Sequence, residues 1–150
     1  SLISTCCEVG AVSATDDESH QKLMREIGMC VGIAFQIRDD LFDYGVYDIG
    51  KPTRNDIQER KVTLPLIKAF EHSDKRESTK IRALMKKRKK RPSDVDRIVQ
   101  FVHDNGGMEY AKKSMYEYAN KAISLLEKLP QSEYKQDFVE LIHFIITRKK

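Results

Sequence analysis

The chain has no run of about 18 consecutive apolar residues, and this excludes a helix long and apolar enough to span a bilayer. It has only three cysteines, Cys6, Cys7 and Cys30. An odd number without metal-ligand spacing argues against a disulfide framework and reads as free or buried thiols of a reducing, cytoplasmic compartment. No apolar/polar alternation is long enough for a sheet strand, and no internal repeat is visible. The chain opens Ser1-Leu2-Ile3-Ser4, without an initiator Met or the basic stretch of a secretory signal. A start in the middle of an apolar pattern is expected of a piece of a longer protein. At 150 residues there is enough chain for a single core.

Charge is plentiful but uneven. The formal net charge is +4, yet residues 1–60 hold 11 acids against 6 bases and residues 61–150 hold 12 acids against 21 bases. Six of those bases form one run, Lys86-Lys87-Arg88-Lys89-Lys90-Arg91. Such a run reads either as a patch for nucleic acid or an anionic membrane surface, or as a solvated, mobile connection between helices. No aromatic residue is interleaved for base stacking, so nucleic acid is the weaker reading.

Charge is absent where it is most telling. Gly28 to Ile37 carries none and is apolar nearly all the way round, as in helices buried inside a bundle. That stretch runs into Phe35-Gln36-Ile37-Arg38-Asp39-Asp40-Leu41-Phe42-Asp43. Gln36, Asp39, Asp40 and Asp43 stand at i, i+3, i+4 and i+7, one stripe on a helical face. Three acids there repel one another and sit near the negative end of the helix dipole, with only Arg38 close in sequence to offset them. A local rule broken this way marks a functional site, and a divalent cation is the natural missing partner. Oxygen-only donors favour Mg²⁺ over Zn²⁺, and Mg²⁺ commonly shares its shell between one or two carboxylates and substrate phosphates. The competing reading is a solvated acidic helix end. Lys51, Arg54, Arg60 and Lys61 follow the stripe and could neutralise phosphate charge, or serve only solubility.

Elsewhere the pattern is helical throughout. Helices are expected over Leu2 to Ala14 and over Glu18 to Tyr44, the second capped by Asp16 or Asp17, with Leu23, Ile27, Cys30, Ala34, Ile37 and Leu41 opposite the acids. After a loop over 45–55, Asp56-Ile57-Gln58-Glu59 resembles a capping box opening a helix to His72, in which Pro65 predicts a kink or a late start. Two helices flank the basic run, the second from Pro92-Ser93 to Asn105-Gly106-Gly107, whose glycine pair supplies a left-handed stop. Ala111, Met115, Tyr118, Ala122, Leu125 and Leu129 form a packing stripe up to Pro130, and Phe138, Leu141, Ile142 and Ile145 line a final helix. The fold class is all-α.

These residues also carry a family likeness. GIAFQIRDDLFDY followed by IGKPTRNDIQERKVTLPLI resembles the second aspartate-rich motif and following loop of trans-isoprenyl (polyprenyl) diphosphate synthases. CCEVGAVSA and GGMEYAKKSMYEYANKAISLL are similar to this family too, so the likeness covers nearly the whole chain, residues 74–104 least. The wording of the loop resembles octaprenyl or other longer-chain enzymes more than the farnesyl type. The resemblance implies an isoprenoid synthase-type helical bundle, usually a homodimer. It also implies Mg²⁺-dependent condensation of an allylic diphosphate with isopentenyl diphosphate through an allylic carbocation.

By motif position, Asp39 is the main metal ligand, with Asp40 and Asp43 binding the metal directly or through its waters. Asp39, Asp40 and Lys51 are the catalytic residues, and Gln36, Lys51 and Lys61 hold the diphosphate or line its pocket. The basic end Arg148-Lys149-Lys150 also resembles the family. The first aspartate-rich motif is not in this sequence; Asp16-Asp17-Glu18 has the wrong place and order. Residues 1–150 are therefore expected to be the carboxyl-terminal part of one synthase domain, inactive without the amino-terminal half. The alternatives are a non-catalytic subunit of a heteromeric synthase and a basic helical nucleic-acid-binding module. A terpene cyclase ranks low, because such enzymes typically carry an Asn/Ser/Glu-type second motif.

Overall fold

The structure, a computed structural model, describes residues 1–45 and 54–148. Among these residues there are eight α-helices and no strand. They are α1 (Leu2–Ala14), α2 (Glu18–Tyr44), α3 (Asn55–Gln58), α4 (Leu64–His72), α5 (Lys75–Lys86), α6 (Pro92–Asp104), α7 (Gly107–Leu126) and α8 (Glu133–Thr147). Short polar side chains start several of them. Ser1 accepts from the Ser4 N–H, Asp17 from that of Ser19 at 2.8 Å, Asp74 from that of Glu77 at 2.9 Å and Ser132 from that of Lys135 at 3.2 Å. Each satisfies an N–H group that the first helical turn leaves without a partner.

The helices form two compact units, with α2 and α7 contributing to both. The first comprises Ser1–Arg38 and Ser114–Arg148. Its core is made of Ile27, Val31 and Ala34 from α2, Met115, Ala119, Ala122 and Leu126 from α7, and Ile142 and Ile146 from α8. At Gly28 the backbones of α1 and α2 nearly touch. A Cβ there would lie 2.8 Å from Ser4 Cα and 2.9 Å from the Cys7 side chain. The Ser4 hydroxyl donates across the same contact to the Arg25 carbonyl at 2.9 Å. Arg38, buried, donates to the Arg148 carbonyl from Nε at 3.2 Å and also from Nη2, tying down the end of α8.

The second unit lies within Asp39–Lys113, and α6 packs against α3, α4 and α5 there. Val95, Ile98, Phe101 and Val102 form its buried face, with the Phe70 and Phe101 rings 5.3 Å apart. Fully buried Tyr44 shares a hydrogen bond with Thr63 Oγ1 at 2.9 Å, and its carbonyl lies 2.9 Å from His103 Nε2.

Several expectations need correcting. The helix from Asp56 to His72 is two helices. Arg60 takes a left-handed φ of 64°, Thr63 is extended, and α4 starts late with Pro65 in its first turn. Only Gly106, at φ 68°, is a left-handed stop, while Gly107 begins α7. Tyr118 and Leu141 are 37% and 50% exposed rather than core, and the packing passes through Ala119 and Ile146. Leu129 follows the last residue of α7. The basic run is not wholly solvated: Lys90 is only 7% exposed and donates to the carbonyls of Lys87 at 3.2 Å and Gln58 at 3.5 Å.

At Gly107 this unit leaves no room for a side chain. A Cβ there would stand 2.2 Å from the Pro65 carbonyl oxygen, which is backbone and cannot rotate away. Gly107→Ala is expected to cost about 1–3 kcal/mol in a urea titration. Gly10→Ala is the control, since its Cβ meets nothing within 4 Å. It should gain up to about 1 kcal/mol from helix propensity.

Candidate functional site

The α2 helix ends in its three acids, as the sequence stripe requires. Asp40 is 8% exposed. Asp39 and Asp43 are half-buried, and Gln36, in the first unit, is exposed. Asp43 has a definite structural task. Its Oδ1 accepts the Arg54 N–H at 3.2 Å and its Oδ2 accepts the Asp56 N–H at 2.5 Å. Arg54, the N-cap of α3, is itself left-handed at φ 74° with no capping side chain. Asp43 therefore caps a helix that begins a dozen residues later, the work that the sequence assigned to Asp56. It also fixes where the chain returns after residues 46–53. Lys51 lies outside the described residues, as do Lys149 and Lys150 of the basic end.

Burial is the main influence on the Asp43 carboxyl and pushes its pKa up, with the charge of Asp56 adding to the rise. The bonds from the Asp56 and Arg54 N–H groups only partly oppose it. Asp56 accepts from Lys61 Nζ at 2.8 Å, and Glu59 lies 2.9 Å from the same ammonium. These two carboxylates, Asp56 foremost, hold Lys61 firmly protonated. Arg54 pairs with Asp96. The Tyr44 hydroxyl is pushed far up by burial, with the charges of Asp43, Asp40 and Asp56 adding to it.

Asp39 and Asp40, one half-buried and one buried, each offer hard oxygen donors. That fits a Mg²⁺ ion, which takes one or two carboxylates from a protein and the rest of its shell from water and phosphate. Among the described residues no three His, Cys, Asp or Glu side chains converge on one point, so a cation here would need other ligands. Both Asp43 oxygens are occupied by N–H groups, but each carboxylate oxygen keeps a further lone pair. Sequence reasoning missed Lys90, whose ammonium meets the carbonyl of Gln58 at the end of α3, because nothing distinguishes it from the five bases around it. Burial lowers its pKa, and the charge of Arg60 adds to the effect.

A family model described as Polyprenyl synthetase matches residues 1–102. The octaprenyl diphosphate synthase of Haemophilus influenzae is 31% identical over 149 residues, 98% of this chain and 45% of that protein. Among solved structures, the geranylgeranyl pyrophosphate synthase from Bacteroides thetaiotaomicron aligns at a TM-score of 0.89 with 35% identity, covering 98% of this chain and 49% of the other. A polyprenyl synthase from Caulobacter crescentus, complexed with calcium and isoprenyl diphosphate, aligns at 0.88 with 30% identity, covering 99% of this chain and 46% of the other. The chain thus spans about half the length of the relatives it matches.

The capping role of Asp43 is directly testable. Asp43→Ala should lower stability by about 1–2 kcal/mol, the usual worth of a cap. Amide exchange at Arg54 and Asp56 should accelerate more than elsewhere in the second unit. Unchanged protection of those two amides would show that α3 is held by something else.

Proposed function

Because the chain belongs to the polyprenyl synthetase family, we propose that it carries half of a diphosphate-handling site in a prenyltransferase. The enzyme condenses an allylic diphosphate with isopentenyl diphosphate to give a polyprenyl diphosphate. The observation that carries this reading is the end of α2, where Asp39 and buried Asp40 stand together at the negative pole of the helix. Asp39 is the main ligand for Mg²⁺ and Asp40 supports it; Asp43 reaches a bound metal only through the lone pairs its two N–H contacts leave. Mg²⁺, when bound, neutralises diphosphate charge and so makes diphosphate a better leaving group. Lys61 supplies a positive charge for diphosphate oxygens and Lys51 a second. Asp39, Asp40 and Lys51 are the residues on which catalysis depends.

The remaining ligands come from the amino-terminal half of the same protein, and residues 1–150 form the carboxyl-terminal part of one synthase domain. The whole enzyme is a homodimer of the cytoplasm. The reading includes peripheral membrane contact; no described helix is long and apolar enough to cross a membrane.

Two measurements test this reading. In thermal melts, Mg²⁺ or pyrophosphate alone should stabilise the chain little, since one lacks ligands and the other meets carboxylates. Together each supplies the charge the other lacks. Full occupancy at a hundredfold excess over Kd is worth about 2.7 kcal/mol, and half a site should give less. The synergy should vanish in Asp39→Ala with Asp40→Ala; equal responses from both proteins would reduce the stripe to a solvated helix end. Separately, the 150-residue chain alone should not elongate an allylic diphosphate, because charge must be neutralised from both sides at once. Mg²⁺-dependent product from it would show that no further motif is needed.

A further inference from the structure

The second unit contains a cavity that the acid cluster does not use. About 360 Å³ in volume, it lies where the α3–α4 connection, α4 and α5 meet, and it is lined by Arg60, Val62, Phe70, Arg82, Met85 and Lys86. That volume lies in the range of small-ligand sites. Neither Asp39, Asp40, Asp43 nor Lys61 lines it. Its composition is unusual for an accidental hollow: three cations stand over an apolar floor of Val62, Phe70 and Met85, with no acid among them. The Arg82 guanidinium lies 4.1 Å above the Phe70 ring. Stacking of this kind holds the guanidinium plane while leaving its N–H edge available to an anion.

The acids of the neighbourhood are already engaged. Glu59 pairs with Lys61 at 2.9 Å, Glu71 with Lys68 at 2.7 Å and Asp94 with Lys87 at 2.9 Å. Among the described residues no carboxylate pairs with Arg60, Arg82 or Lys86. Glu71 borders an adjoining hollow with Val62, Ile67 and Arg82, but its charge is held by Lys68. Arg60 reaches the cavity from a left-handed backbone, a conformation that costs an arginine about 1 kcal/mol or more. Exposed Ile67, which lines the adjoining hollow with Val62, extends the apolar floor outward.

We propose that this cavity binds an amphiphilic phosphate, its anionic head against Arg60, Arg82 and Lys86 and the first carbons of its hydrocarbon tail on Val62, Phe70 and Met85. The head could belong to a lipid in a bilayer or to a dispersed alkyl phosphate; the chemistry recognised is the same. This proposal does not depend on the α2 acids or on a metal.

Calorimetry with dodecyl phosphate below its micelle concentration, in EDTA, tests it. Wild-type chain should bind, and inorganic phosphate should bind at least about tenfold more weakly because it buries no tail. Arg82→Gln with Lys86→Gln should weaken binding about tenfold or more, whereas Asp39→Ala with Asp40→Ala should leave it unchanged. Arg60→Gly should also weaken it while keeping or raising the melting temperature, which separates lost binding from lost fold. Co-sedimentation with phosphatidylcholine vesicles, with and without phosphatidic acid, distinguishes the sources. Binding to the acidic vesicles alone assigns a bilayer headgroup, and binding to dispersed phosphate alone assigns a free one. Absence of binding in both formats, equal affinity for inorganic phosphate, indifference to the Arg82 and Lys86 changes, or loss with the Asp39 and Asp40 changes would each overturn the proposal.

Discussion

A carboxylate near the negative end of a helix must find N–H groups or cations, and the second unit is organised around how Asp43 meets that demand. Its two oxygens take the N–H groups of Arg54 and Asp56. These groups belong to the positive end of α3, so the negative pole of one helix is answered by the positive pole of another. Much follows from that closure. α3 is only one turn long and has no cap of its own, so without Asp43 little would hold its start. Its far end meets Lys90, a buried ammonium on its terminal carbonyl, so both poles of this short helix are answered by charge from elsewhere in the chain. With α3 fixed, Asp56 and Glu59 are presented to Lys61.

This also explains what could and could not be read from the sequence. The bounds of α1 and α2 were legible because they depend on local signals: an apolar periodicity, Asp16 or Asp17 as the cap of α2, and a glycine after Tyr44. The late start of α4 was legible at Pro65 for the same reason. The cap of α3 was not, since Asp43 and Asp56 are 13 residues apart and no local pattern links them. Asp56 looked like the cap because the sequence around it fits one, but its carboxylate turns to Lys61 instead. Lys90 was hidden among identical neighbours. Tyr118 and Leu141 fell on stripes drawn by spacing alone, and the actual packing lines run one residue beside Tyr118 and five beyond Leu141, through Ala119 and Ile146. Of the candidate site, the acid stripe was visible as a broken rule, whereas the division of labour within it was not. Asp43 caps α3, and nothing local to the stripe marks it for that task.

The cations near the acids differ in how firmly they are committed. Lys61 bridges Asp56 and Glu59, and Arg54 pairs with Asp96; Lys61, Glu59 and Asp96 are exposed, whereas Asp56 is half-buried. Exposed ion pairs are worth little net free energy, so each can be exchanged for a stronger anionic partner at small cost. Lys90 is different: it is buried on backbone carbonyls, and moving it would strand both its charge and the end of α3. Lysines of one short region therefore separate into a structural one and an exchangeable one by burial alone. In the proposed site a diphosphate, bringing more charge than a single carboxylate, would draw Lys61 from Asp56 and Glu59 and leave Lys90 on its carbonyls. Arg82 is stacked on Phe70 and, among the described residues, pairs with no carboxylate. Its orientation is already fixed before an anion arrives, so less conformational freedom remains to be lost on binding.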